Sequence, residues 1–175
     1  HVLDSPDGRQ IYTTETDTET GNSWVAVRDA HTLEKTAEWP THGIDAHELI
    51  WDRHRTSSGV PTLLVANGGV PTAPETGRTK RALHTMDSSL VRLDARTGRL
   101  LGQWRLQADP RLSLRHLAWS PDGRTLGIAL QAEHDDPAHK NNAPVLALFD
   151  GTTLRTVPTP EAMAPHLQGY GGSMA

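Results

Sequence analysis

Three histidines recur at matching points of a repeated pattern, and their imidazole nitrogens are the ligands this chain offers most readily to a transition metal. The segment His1-Val2-Leu3-Asp4-Ser5-Pro6-Asp7-Gly8-Arg9 returns as His116-Leu117-Ala118-Trp119-Ser120-Pro121-Asp122-Gly123-Arg124, and a degenerate copy begins at His47-Glu48-Leu49-Ile50-Trp51-Asp52. Where each histidine opens the strand that lines the axis of a radial fold, the three converge. The expected ligands are His47 and His116, with His1 or His42 as the third, and iron, zinc or copper suits such a set better than calcium. Asp45 and His47, two apart on an extended chain, are expected to point to one side. The competing reading is architectural: a histidine at a repeated position holds a turn or a neighbouring strand.

The elements that must position these residues are legible in the punctuation. A short apolar strand, a Pro-Asp-Gly turn and a second strand make an antiparallel pair, and strand-sized runs continue in groups of four. The first blade covers 1–40, with strands near 1–4, 10–14, 23–29 and 35–39. The second covers 41–106, with strands near 45–52, 62–66, 89–94 and 99–106 and a polar insertion at 68–88. The third covers 107–158, with strands near 113–119, 124–131, 144–150 and 154–158. A helical linker at 159–168 then leads to 169–175, read as the first strand of a further blade. The fold class is therefore all-β, a β-propeller of four-stranded antiparallel blades, present as about three and a half blades. A ring needs more blades than these, so the chain reads as a piece of a longer protein whose open blade edges favour self-association.

Connections from second to third strand and from one blade to the next hold most of the long polar segments, so one face of the disc reads as the contact face. On it lie the alternating Glu15, Asp17 and Glu19, read as a solvated loop before a calcium site. Glu133, His134, Asp135, Asp136 and His139 likewise read as a flexible loop before a metal site. Arg78 and Lys80 give local positive charge, and with Asp45 they are the expected contacts to a partner or ligand.

Composition removes whole classes. The 175 residues carry 17 basic and 21 acidic side chains and a formal charge of -4, so no broad positive field draws nucleic acid or an anionic membrane. Apolar runs such as Val145-Leu146-Ala147-Leu148-Phe149 are strand-sized, well short of the roughly 20 residues of a spanning helix. Without cysteine there is no disulfide, thiolate metal site or cysteine nucleophile. No nucleophile elbow, zincin helix or dinucleotide fingerprint occurs.

Ordered short segments carry a family resemblance over 10–174: Tyr12-Thr13-Thr14-Glu15, His42-Gly43-Ile44-Asp45-Ala46-His47-Glu48-Leu49, Val65-Ala66-Asn67-Gly68-Gly69, Thr76-Gly77-Arg78-Thr79-Lys80, Thr85-Met86, Ser89-Leu90-Val91, Arg115-His116-Leu117 and Gly169-Tyr170. Together they resemble the domain-of-unknown-function family 1513. The resemblance implies a seven-bladed propeller, exported by the twin-arginine route and periplasmic, with a protein partner in iron handling. It covers His42, His47, Glu48, Asn67, Arg78, Lys80 and His116, while Ala82 and His84 depart from the family's asparagine and aspartate before Thr-Met. The resulting reading is a non-enzymatic binding or scaffold propeller. The alternative is a metal-dependent, lactonase-like hydrolase with a cation in the channel, for which Glu48 and Asn67 are the nominated catalytic residues.

Overall fold

A computed structural model describes residues 1–54, 59–71 and 82–174. The contact residues expected at Arg78 and Lys80 lie outside the described residues. Among the described residues, twelve strands form three four-stranded antiparallel sheets, each built in chain order. The first sheet holds β1 (Val2–Asp4), β2 (Gln10–Thr16), β3 (Asn22–Asp29) and β4 (Lys35–Ile44). The second holds β5 (Ala46–Trp51), β6 (Thr62–Asn67), β7 (Ser89–Asp94) and β8 (Leu100–Trp104). The third holds β9 (Leu112–Trp119), β10 (Leu126–Ala132), β11 (Leu146–Phe149) and β12 (Leu154–Val157). The chain is a partial β-propeller, and β1, β5 and β9 face one another at its axis, with β5 in contact with both others.

Alternation along the middle sheet explains why the blades stack. In β6 every residue is buried, yet Leu63 and Val65 enter one apolar cluster while Leu64 and Ala66 enter another. The first cluster joins them to Tyr12, Val25 and Val27 of the preceding sheet, and the second to Leu114, Ile128, Leu130 and Phe149 of the following one. A strand with apolar side chains on both faces needs cover on both sides, and neighbouring blades supply it.

Polar bonds set the angle between the blades. The Trp51 indole donates to the Asp4 carbonyl at 2.9 Å, and the Trp119 indole donates to the Trp51 carbonyl at 2.9 Å. Asp4, Trp51 and Trp119 end the three innermost strands, so one bond is repeated from blade to blade.

The Ser-Pro-Asp-Gly turns are held identically. Ser5 Oγ donates to Asp7 at 2.7 Å and accepts from the Gln10 N–H at 2.9 Å; Ser120 does the same with Asp122 and Thr125 at 2.7 and 3.0 Å. Gly8 and Gly123 both take φ of 68°, the left-handed conformation these turns require.

Three local features differ from the sequence reading. The segment 133–143, read as a flexible loop, contains helix α1 (Pro137–Asn142), because Pro137 suits a first helical turn and Asp136 caps the Ala138 N–H at 2.8 Å. The helix expected over 160–168 shortens to α2 (Ala164–Leu167), ended by Gln168 and Gly169 at φ of 49° and 66°. The segment after it pairs with the end of β10: the Ala132 N–H donates to Gly169 at 2.7 Å and the Gly171 N–H to Leu130 at 2.8 Å, around a Gln131–Tyr170 bridge. The ladder between β10 and β11 ends at Ala129–Leu146, which leaves backbone groups beyond it in need of partners.

Two outcomes test this account. Trp119→Phe keeps an aromatic ring but removes the inter-blade bond and part of the packing, and urea unfolding is expected to show a loss of at least about 1 kcal/mol. Turn carboxylates govern the response to acid. A serine hydroxyl is the first cause that lowers the Asp7 and Asp122 pKa, and backbone N–H groups are the first cause at Asp17, Asp29 and Asp150. Each depressed carboxyl contributes stability that is present above the ordinary value of 3.8 and is lost as pH falls through the lower folded value. The urea midpoint should therefore hold from pH 7 to 5 and drop below about pH 4, less steeply in Asp29→Asn and Asp122→Asn.

Candidate functional site at the axis

The repeated histidines meet. His1, His47 and His116 each offer a ring nitrogen within 4.8 Å of the others, and their ring centroids stand 4.7 to 5.3 Å apart. His1 is exposed, while His47 and His116 are half-buried.

Two β-bulges aim the side chains. The ladder between β5 and β6 runs Ala46↔Asn67 and then Leu49↔Val65, so His47 and Glu48 face a single residue across the ladder. The ladder between β9 and β10 runs Leu117↔Ile128 and then Leu114↔Leu130, so Arg115 and His116 share one opposite residue in the same way. A bulge breaks the strict alternation of a strand and re-aims adjacent side chains. It places His47, Glu48, Arg115 and His116 around one point.

Glu48 binds the cluster from behind. One oxygen meets His116 Nδ1 at 3.1 Å and accepts the Leu117 N–H at 2.9 Å, while the other lies 3.8 Å from His1 Nδ1. A carboxylate at Nδ1 places the proton of neutral His116 there and leaves Nε2 as the ligand atom. His116 Nε2 lies 3.4 Å from His47 Nε2. At the other side of His47, Arg115 Nη1 approaches Nδ1 at 3.4 Å. Guanidinium only donates, so without a metal Nδ1 of His47 accepts and its proton lies on Nε2, toward His116; ligation through Nε2 requires that proton to move to Nδ1 and Arg115 to turn to its carboxylates. Arg115, His47, His116 and Glu48 thus form one polar chain.

Arg115 also faces Asp45 Oδ2 at 3.1 Å and Glu133 Oε1 at 3.8 Å. Burial pushes the Asp45 carboxyl up, against the opposing pull of Arg115 and the Val70 N–H, and the Glu133 charge adds to the rise. Asp45 takes a left-handed φ of 55° before β5, and its carboxylate meets Arg115 in this network.

Two other expected residues stand elsewhere. His42, exposed near the end of β4 with φ of 55°, is outside the three-nitrogen group, and its carbonyl accepts from Gln103 at 3.1 Å. Asn67 is fully buried and donates to the Thr41 carbonyl at 2.9 Å and to Ser89 Oγ at 3.2 Å, which ties β4 to β6 and β7. Among the described residues it shares no hydrogen-bond partner with Glu48. Its amide clamps two blades, and Gly43 is required above it because a Cβ there would lie 2.6 Å from the amide nitrogen. The sequence reading gave Arg115 and Glu133 no place in the site. Arg115 adjoins a repeated histidine, but the bulge that brings both to the axis has no motif of its own.

Arg115→Met should expose the cost of this network. Asp45 and Glu133 both lose this cation, and the expected loss is about 3 kcal/mol at neutral pH. The loss should shrink in urea melts as pH is lowered and the carboxyls protonate.

Sequence comparison matches residues 1–175 to the family described as "Protein of unknown function (DUF1513)". No curated protein matches the chain significantly. Among solved structures, a chain of Kuenenia stuttgartiensis hydrazine synthase aligns with a TM-score of 0.60 and 17% identity, over 90% of this chain and 41% of that one. Similarity at this identity is one of fold, and this chain spans well under half of that relative's length.

Proposed function

The chain belongs to the DUF1513 family, and from that premise we propose that it is a binding propeller, not a catalyst, whose axial histidines hold a divalent transition metal ion. The carrying observation is the convergence of His1, His47 and His116 within 4.8 Å, with Glu48 bonded behind them. Imidazoles oriented by a second-shell carboxylate suit iron, zinc or copper, and the donors are too few in oxygen for calcium. The setting implied by the family resemblance, a seven-bladed periplasmic propeller exported by the twin-arginine route and working with a protein partner in iron handling, supports iron as the working ion. The contact face, where blade-to-blade connections gather around the axis, is the proposed surface for that partner.

Cobalt titration of the full-length protein tests this reading. One equivalent of Co²⁺ should bind with a visible d–d spectrum, and His47→Ala and His116→Ala should abolish the spectrum with far-UV circular dichroism unchanged. Glu48→Gln should weaken binding at least about tenfold while leaving all three ligands in place. A folded protein that takes up no Co²⁺, Zn²⁺ or Fe²⁺ overturns the proposal.

A further inference from the structure

A second site lies away from the axis, on the contact face. Gln131, His134, Asp135, Pro137, Lys140, Asn141 and four residues of 166–170 line an open cavity of about 740 Å³. This is within the size of small-molecule sites, about 300–1,000 Å³. Its walls are set by the end of β10, α1 and α2. The Ala132–Gly169 bond and the Asp136 cap hold these elements in place. A Cβ on Gly169 would lie 2.2 Å from the Lys140 carbonyl, so glycine is what lets the end of α2 close against α1.

Lys140 in the cavity lining lacks the acidic partner that several other basic side chains have among the described residues. Lys35 meets Glu15 and Glu38 at 3.3 and 2.5 Å, Arg28 meets Glu15 at 2.6 Å, and Arg105 meets Asp87 at 2.6 Å. Lys140, half-buried in the cavity wall, meets no carboxylate among the described residues. Asp135, the acidic residue of the lining, is directed to Arg111 at 3.7 Å. His134 is fixed by Asp109, which accepts from Nε2 at 2.8 Å, so Nδ1 remains for another partner. His166, Gln131, Asn141, Gln168 and the Tyr170 hydroxyl complete a wall of polar groups with no hydrogen bond from their side chains among the described residues.

We infer that this cavity binds a small hydroxy-polycarboxylate, with Lys140 as counter-charge and His134, Asn141 and Gln131 as hydrogen-bonding partners. Point charge plus amides favours carboxylate and hydroxyl groups, because no arginine fork, a usual phosphate receptor, is among the described residues that line the cavity.

The test is calorimetry on full-length protein freed of metal by chelator and dialysis, with citrate and inorganic phosphate as probes. Citrate should bind once per chain with a sub-millimolar Kd, and Lys140→Met should weaken it at least about tenfold with the thermal midpoint unchanged. His134→Gln should weaken it severalfold. His47→Ala should leave it intact, which separates this site from the axial one. No saturable heat at about 10 mM citrate, equal affinity in Lys140→Met, loss in His47→Ala, or phosphate binding as tight as citrate overturns the inference.

Discussion

The bond from each inner-strand indole to the carbonyl at the equivalent position of the preceding blade is the constraint on which the rest depends. Apolar burial is non-directional and would tolerate a range of inter-blade angles. A hydrogen bond near 2.9 Å between equivalent positions tolerates little, and it applies the same rotation at each step. Equal rotations about one axis bring equivalent residues to equal distances from it. The three histidines, only three or four positions from these anchors, therefore meet because the blades are related by a repeated step, and no contact among the imidazoles is needed to draw them in.

The bulges add what rotation alone does not supply. In a regular strand, successive side chains point to opposite faces, so Glu48 would be turned away from His47 and Arg115 from His116. Breaking the ladder at the histidine of β5 and of β9, with the residue after it in one and before it in the other, places a histidine and a charged neighbour on one side in both blades. Opposite signs follow from the sequence: β5 contributes the carboxylate of Glu48 and β9 the guanidinium of Arg115. Each charged group reaches across to the other blade's histidine, Glu48 to His116 and Arg115 to His47. The polar chain is thus an inter-blade clamp as well as a candidate site.

The fold was legible because its signals are local. Ser-Pro-Asp-Gly marks a turn through a serine–aspartate bond and a left-handed glycine, both closed within six residues, and period-two apolar runs mark the strands. Convergence of His1, His47 and His116 could be read from repetition, since equivalent positions in a radial fold share a radius. His42 and Asn67 could not be placed this way. His42 precedes the repeat unit, and its left-handed backbone removes it from the expected face, while Asn67 is drawn inward by a carbonyl on another blade. Helix α1 escaped notice because six residues are too few for an apolar period and its cap is a single aspartate. Arg115 was missed for a related reason: a bulge is a property of two strands, visible only when the ladder is drawn.

A guanidinium beside a cation site looks unfavourable until the charges around it are summed. Arg115 stands between Asp45 and Glu133, and Glu48 lies on the far side of the imidazoles. Among the described residues, Asp45, Glu133 and Glu48 outnumber Arg115 around the rings, by less when Asp45, whose carboxyl burial pushes up, is protonated. Arg115 is then a local counter-ion that lets two acidic groups lie close together near the axis, and the surplus is of the sign that attracts a dication. Direct carboxylate ligation would hold such an ion more tightly and with less regard for its identity. With the carboxylates placed behind the imidazoles, the nitrogen donors of the proposed site would decide which metal it takes, and the surrounding charge how strongly.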